Sequence, residues 1–117
     1  MPVRVMLIDD DDVFRRSCSE LLVSRGFDIA GEAASLADAR AAIAVIDPDA
    51  LLLDVNLPDG SGIALATELT EAGARARVLL TSSDARAVSR RLLARCGAAG
   101  FVAKPDLATA DLRSILG

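Results

Sequence analysis

Four apolar runs in this chain each end in a residue suited to phosphate or metal chemistry. Residues 3–8 run into Asp9 and Asp10, 50–53 into Asp54, 78–80 into Thr81, and 101–103 into Lys104. If the runs are neighbouring parallel strands, these side chains gather at one sheet edge, outside the strand carboxyl ends where open α/β sheets bind ligands. Three carboxylates, a hydroxyl and an ammonium at one edge suit a magnesium ion and a phosphoryl group. The ammonium is conspicuous, because twelve of the thirteen basic residues are Arg and Lys104 is the only Lys. Lys brings a compact charge on a flexible stem, whereas Arg brings a rigid fork.

Each residue also has a plainer reading. Asp9 and Asp10 open a run of four acids, and acids at a helix start stabilise it by roughly 0.3–1 kcal/mol each. That accounts for Asp11 and Asp12 but not for acids at the tip of a buried strand. Unit charges ~5 Å apart repel by about 3 kcal/mol at an effective dielectric of 20, so Asp9, Asp10 and Asp54 belong together only with a cation. Asp54 is either a nucleophile toward phosphorus, forming an aspartyl phosphate, or a ligand or strand-end cap without a covalent role. Thr81 offers a hydroxyl to a phosphoryl oxygen, while the following Ser83 or Asp84 would cap the fourth helix. The Pro58-Asp59-Gly60 stretch reads as a turn, with Gly62 giving backbone freedom where the third helix begins. For Lys104-Pro105, sequence alone favours a trans bond.

The elements that must position these groups alternate strand and helix five times. Strands are expected near 3–8, 27–33, 50–54, 77–81 and 99–103. Between them apolar residues recur at helical spacing: Phe14, Cys18, Leu21 and Leu22; Leu36, Ala39, Ile43 and Ile46; Ile63, Ala66 and Leu69; Val88, Leu92, Leu93 and Cys96; Ala108, Leu112, Ile115 and Leu116. Ser35 and Asp38 resemble a capping box, Gly26 and Gly97 stand where helices should stop, and Asp106 is placed to cap the last helix. The second strand alternates in polarity and reads as an edge; the others are nearly all apolar, as in a sheet covered on both faces. A doubly wound parallel α/β sheet is the simplest solution.

Composition narrows the function. The 117 residues are expected to form one domain, 1–117. No run approaches the ~20 apolar residues of a membrane span and no secretory leader opens the chain, so the expected compartment is the cytoplasm. Cys18 and Cys96 lack metal-like spacing and read as buried, reduced thiols. A net charge of −4 gives no reason to expect direct nucleic-acid binding. The chain has no His, which removes His-based triads, His-ligated zinc and internal phosphohistidine, and leaves oxygen ligands suited to hard cations.

The segments Leu7-Ile8-Asp9-Asp10, Leu52-Leu53-Asp54-Val55-Asn56-Leu57-Pro58-Asp59-Gly60-Ser61-Gly62, Leu80-Thr81-Ser82 and Gly100-Phe101-Val102-Ala103-Lys104-Pro105 resemble a response-regulator receiver domain, the CheY-like, flavodoxin-like fold of two-component systems. The resemblance spans essentially the whole chain. It implies sheet order 2-1-3-4-5 and Asp54 as phosphoacceptor, charged by a sensor histidine kinase, a phosphotransfer protein or a small phosphodonor. It further implies Mg²⁺ (or Mn²⁺) held by Asp10, Asp54 and the backbone carbonyl of Asn56, with Asp9 assisting largely through water. Thr81 and Lys104 would contact the phosphoryl group, and the Lys104-Pro105 bond would be cis. Phe101 falls where the family keeps its switch aromatic, often Tyr, and lacks that hydroxyl. With Thr81 it would switch the surface of the fourth helix, fifth strand and fifth helix. The stretch 97–102 looks most like receivers that precede helix-turn-helix output domains. A monomer or a phosphorylation-dependent dimer is expected.

Three other classes of function compete with this one, and the first, a flavodoxin-like nucleotide-binding module, lacks the Gly-rich loop it needs after the first strand. A haloacid-dehalogenase-type phosphatase shares the Asp, Mg²⁺, hydroxyl and Lys, but needs a general acid two residues after the nucleophile, where Asn56 stands. A non-phosphorylated pseudo-receiver would be a pure interaction module, against which the complete acidic set, Thr81 and Lys104 weigh. Arg86, Arg90, Arg91 and Arg95 read as a solvated helical face, with an interaction face as the alternative.

Overall fold

A computed structural model describes residues 2–117 of the chain. The strands are β1 (Arg4–Ile8), β2 (Asp28–Ala33), β3 (Ala50–Asp54), the two-residue β4 (Asn56–Leu57) and β5 (Gly60–Ser61), β6 (Arg77–Ser82) and β7 (Gly100–Ala103). The helices are α1 (Asp12–Ser24), α2 (Leu36–Ile46), α3 (Gly62–Glu71), α4 (Arg90–Cys96) and α5 (Leu112–Leu116), with a 3-10 helix at Lys104–Thr109.

The five long strands form one parallel sheet in the order β2-β1-β3-β6-β7. With the two short strands left out of the count this is the expected order 2-1-3-4-5, and the alternating second strand is indeed an edge. Side chains alternate across the sheet and divide the core in two. Met6, Ile8, Leu51, Leu53, Val78 and Leu80 face α2, α3 and α4, packing with Leu36, Leu65, Ala66 and Cys96. Val5, Leu7, Leu52 and Leu79 face α1 and α5, packing with Cys18, Leu22, Leu112 and Leu116. Full burial of each such side chain contributes roughly 1.5–3 kcal/mol, which fixes the register that brings the strand ends level.

Several local expectations need correction. The Pro58-Asp59 turn closes a small antiparallel ladder, Asn56 with Ser61 and Leu57 with Gly60. The fourth helix does not start at Ser83 or Asp84. Its N-cap is Ser89, whose hydroxyl accepts from the Leu92 amide, and residues 83–89 form a loop in which Asp84 accepts from the Arg86 amide. Arg86 and Val88 therefore lie outside α4. Asp106 does not cap the last helix; Asp111 does, accepting from the Ser114 amide. Between them the 3-10 helix buries Leu107 and leaves Ala108 exposed.

Among the described residues no peptide bond is cis, so Lys104–Pro105 is trans, against what the resemblance implied. Pro105 stands in the first turn of the 3-10 helix, where its fixed φ fits and its missing N–H goes unneeded. Gly26 (φ +89°) and Gly97 (φ +76°) end α1 and α4 in the left-handed region, as expected. Cys18 and Cys96 are buried free thiols.

Candidate functional site

The carboxyl edge of the sheet brings the expected groups together. Register pairs Ile8 with Leu53 and Asp54 with Thr81, so Asp9 leaves β1 beside Asp54. Asp9, Asp10 and Asp54 each present a carboxylate oxygen, and these oxygens lie within 4.8 Å of one another. Asp9 and Asp54 are buried and Asp10 is exposed, so the repulsion falls mainly on the buried pair, while water screens Asp10.

Lys104 supplies charge compensation that the sequence argument had left to a metal alone. Its Nζ lies 2.7 Å from Asp9 Oδ2 and 3.3 Å from Asp54 Oδ2. The Asp54 contact is a hydrogen bond; the Asp9 contact is a close ion pair without hydrogen-bond alignment. Burial works to lower the Lys104 pKa, but Asp9 and then Asp54 outweigh it and hold the ammonium above its ordinary range. Asp54 is pushed above the ordinary carboxylate range, by burial first and by Asp9 next, against the Asn56 amide and Lys104. A buried carboxylate held this way gains from any further cation.

Thr81 Oγ1 is buried and has no hydrogen-bond partner among the described residues. An orphaned hydroxyl costs about 1–3 kcal/mol and favours a ligand that would accept from it. Asp54 Oδ1 accepts from the Asn56 amide at 3.1 Å, and Asp9 Oδ1 from the Asp11 amide at 2.9 Å, which orients both carboxylates. The hard oxygen donors of Asp9, Asp10 and Asp54 match a divalent cation such as Mg²⁺.

Some residues contribute to the site in ways that local sequence does not show. Gly62 matters for closeness rather than freedom: its φ is not positive, but a Cβ would lie 2.1 Å from the backbone oxygen of Asp54. Arg15 ties the acidic loop to β2, donating to the Asp9 carbonyl, to Asp12, and to Glu32 at 3.1 Å. Asp59 accepts from the Leu36 and Ala37 amides at 2.8 and 3.0 Å, so the loop after Asp54 caps α2. These two amides hold its carboxyl below the ordinary range. The Phe14 ring lies 4.2 Å from Lys104 Nζ. Its position four residues past Asp10, on the first turn of a helix starting at the site, was the available signal. Phe101 lies on the opposite side of the sheet, packed against the α2–α3–α4 core with Val88 and Leu93. The thiol of Cys18, near Asp9 and Lys104, is pushed up to about 11 by burial and is held protonated.

Comparison with known proteins shows the family of the chain. The family model for the response regulator receiver domain matches residues 5–116. The DNA-binding transcriptional activator DevR/DosR of Mycobacterium tuberculosis is 40% identical over 105 residues, 87% of this chain and 48% of that protein. The chemotaxis protein CheY of Bacillus subtilis is 28% identical over 115 residues, 98% of this chain and 96% of that protein. A chain of the CheX-CheY-BeF3-Mg²⁺ complex from Borrelia burgdorferi superposes with a TM-score of 0.82 at 25% identity, covering 98% of this chain and 87% of that one. The chain thus spans about half the length of the DevR/DosR relative and nearly all of CheY. It belongs to the response regulator receiver domain family, the signalling switches of two-component systems.

Proposed function

We propose that this chain is a phosphoacceptor switch in which Asp54 receives a phosphoryl group in a Mg²⁺-dependent reaction. The observation carrying this reading is the meeting of three carboxylates within 4.8 Å, beside the Lys104 ammonium and the unpartnered Thr81 hydroxyl. A carboxylate oxygen of Asp54 forms the new O–P bond as the P–N bond of a phosphohistidine, or the P–O bond of acetyl phosphate, breaks. Lys104 and Thr81 donate to phosphoryl oxygens, with Thr81 gaining the partner it lacks. Asp10, Asp54 and the Asn56 backbone carbonyl would hold the metal, with Asp9 assisting. Mg²⁺ (or Mn²⁺) there would neutralise charge on the carboxylates and the phosphoryl oxygens. The Borrelia complex, which contains Mg²⁺ and BeF3, supports the same chemistry here.

Because the chain has no His, the donor is external: a sensor histidine kinase, a phosphotransfer protein or a small phosphodonor. Asn56 stands where the phosphatase reading needs a general acid, which favours the receiver reading. Likeness to DevR/DosR supports a DNA-binding output downstream, on the same polypeptide or a separate one. No helix among the described residues is long and apolar enough to cross a membrane, and we place the switch in the cytoplasm as one receiver domain, 1–117. Intact-mass analysis with acetyl phosphate and Mg²⁺ should show one added phosphoryl group, absent with EDTA and in Asp54→Asn. Undiminished labelling of Asp54→Asn would overturn the assignment.

A further inference from the structure

Lys104 stands at the end of β7 on a flexible four-carbon stem, and the ion pairs that hold it are weakly directional. Asp9 and Asp54 flank its ammonium on the inner side. The Phe14 ring of α1 also lies over it, with 4.2 Å between Nζ and the ring centroid. The Lys104 side chain is only 17% exposed as a result of this enclosure. Phe14 is itself half-buried and lies on the wall of a mostly apolar groove of about 310 Å³ shared with Cys18, Leu21, Lys104, Pro105 and Leu107. The fully buried residues of α1 are Cys18 and Leu22, one and two turns further on, while Phe14 is half-buried and packs against the edge of the same core.

We infer that Phe14 is a positioning residue: its ring face holds the Lys104 ammonium over Asp54 and keeps it from swinging into the solvent-facing groove during phosphoryl transfer. A cation over an aromatic face is attracted by the ring quadrupole, and the attraction grows as water is excluded. An aliphatic side chain of similar size would fill the same space without that attraction. The aromatic face therefore does what packing alone does not. This rests on the reading of Asp54 as phosphoacceptor, and it adds a group on a different element and the opposite wall of the site.

The test uses the fact that Lys104 is the only lysine, so selective lysine labelling gives one side-chain signal set. In the metal-free protein the Lys104 ε-methylene protons should be shifted upfield by the ring current. The shift should vanish in Phe14→Leu and Phe14→Met and persist in Phe14→Tyr. Phosphorylation by acetyl phosphate with Mg²⁺, followed by intact mass, should slow by roughly 3- to 10-fold in the two aliphatic variants and recover in Phe14→Tyr. Wild-type-like rates in Phe14→Leu and Phe14→Met, a Tyr variant as slow as they are, or no ring-current shift in the wild type would each overturn the inference while leaving Asp54 as acceptor. A wild type that takes up no phosphoryl group would overturn the phosphoacceptor reading and this one with it. Phe14→Met and the wild-type ring-current measurement keep the test decisive should Phe14→Leu fail to fold.

Discussion

Lys104 and the acids around it set the behaviour of the site at the scale of single residues. Because burial raises the Asp54 pKa, the metal-free folded chain binds that proton more tightly than the unfolded chain does. Between the ordinary value of 3.8 and the raised one the native state carries more protons, so this group's contribution to stability falls as pH rises through that window. Asp54→Asn removes the titration. In EDTA, denaturant melts across pH should therefore show wild type losing stability relative to Asp54→Asn as pH rises, with Mg²⁺ reducing the loss. A flat difference would show that burial of Asp54 is already compensated. Asp10→Asn tests the exposed ligand. It should weaken stabilisation by Mg²⁺ and leave metal-free stability equal or slightly higher, since an exposed charge contributes less than about 1 kcal/mol. Equal Mg²⁺-induced shifts in melting temperature for wild type and Asp10→Asn would remove Asp10 from the ligand set.

Elements succeed or fail here at their ends. At the start of α3, Gly62 donates to the Val55 carbonyl at 2.8 Å, and a Cβ there would meet the Asp54 backbone oxygen at 2.1 Å. Gly62→Ala should destabilise the chain by about 1–3 kcal/mol, the range for overpacking a close contact, and lower Asp54 phosphorylation as the backbone is displaced. Urea unfolding with an unchanged midpoint would refute that account. The sequence revealed Gly62 as special but suggested the wrong cause, because proximity to a strand 8 residues earlier is a tertiary fact. The same limit explains other misses. Apolar periodicity made the strands and α1 to α3 legible. It misplaced the start of α4 because Val88 continues a helical pattern while packing from a loop. Asp106 looked like a cap because a 3-10 turn and a helix share that signature, and the choice of Asp111 rests on backbone geometry. Asp59 capping α2 from 22 and 23 residues away has no local signal. By contrast, the strand-end residues Asp9, Asp54, Thr81 and Lys104 were readable because each breaks an apolar run.

At the scale of the whole molecule, phosphorylation adds roughly −1.5 to −2 charge and three acceptors at the sheet edge. Thr81 on β6 and Lys104 at the end of β7 would both turn toward those acceptors, drawing on the loop 83–89. Phe101, like Val88 of that loop and Leu93 of α4, packs against the α2–α3–α4 core, and it has no hydroxyl to secure a second position. Its state would then be set by packing alone, with any ligand shifting it only by differential affinity. NMR spectra with BeF3 and Mg²⁺ should move Phe101 and residues 84–96 together with the Asp54 pocket. Changes confined to the pocket would exclude this route.

The divided core has a further consequence, for how such a switch is rewired over generations. Phe14, Cys18 and Leu107 belong to the α1–α5 side of the sheet, while Phe101, Val88 and Leu93 belong to the α4 side. Substitutions on separate faces with no shared partners have nearly independent effects on stability. Substitutions can therefore accumulate on the α1 side without disturbing the packing of the α4 side, and the reverse. The strand tips between them are the one place where both inheritances must agree.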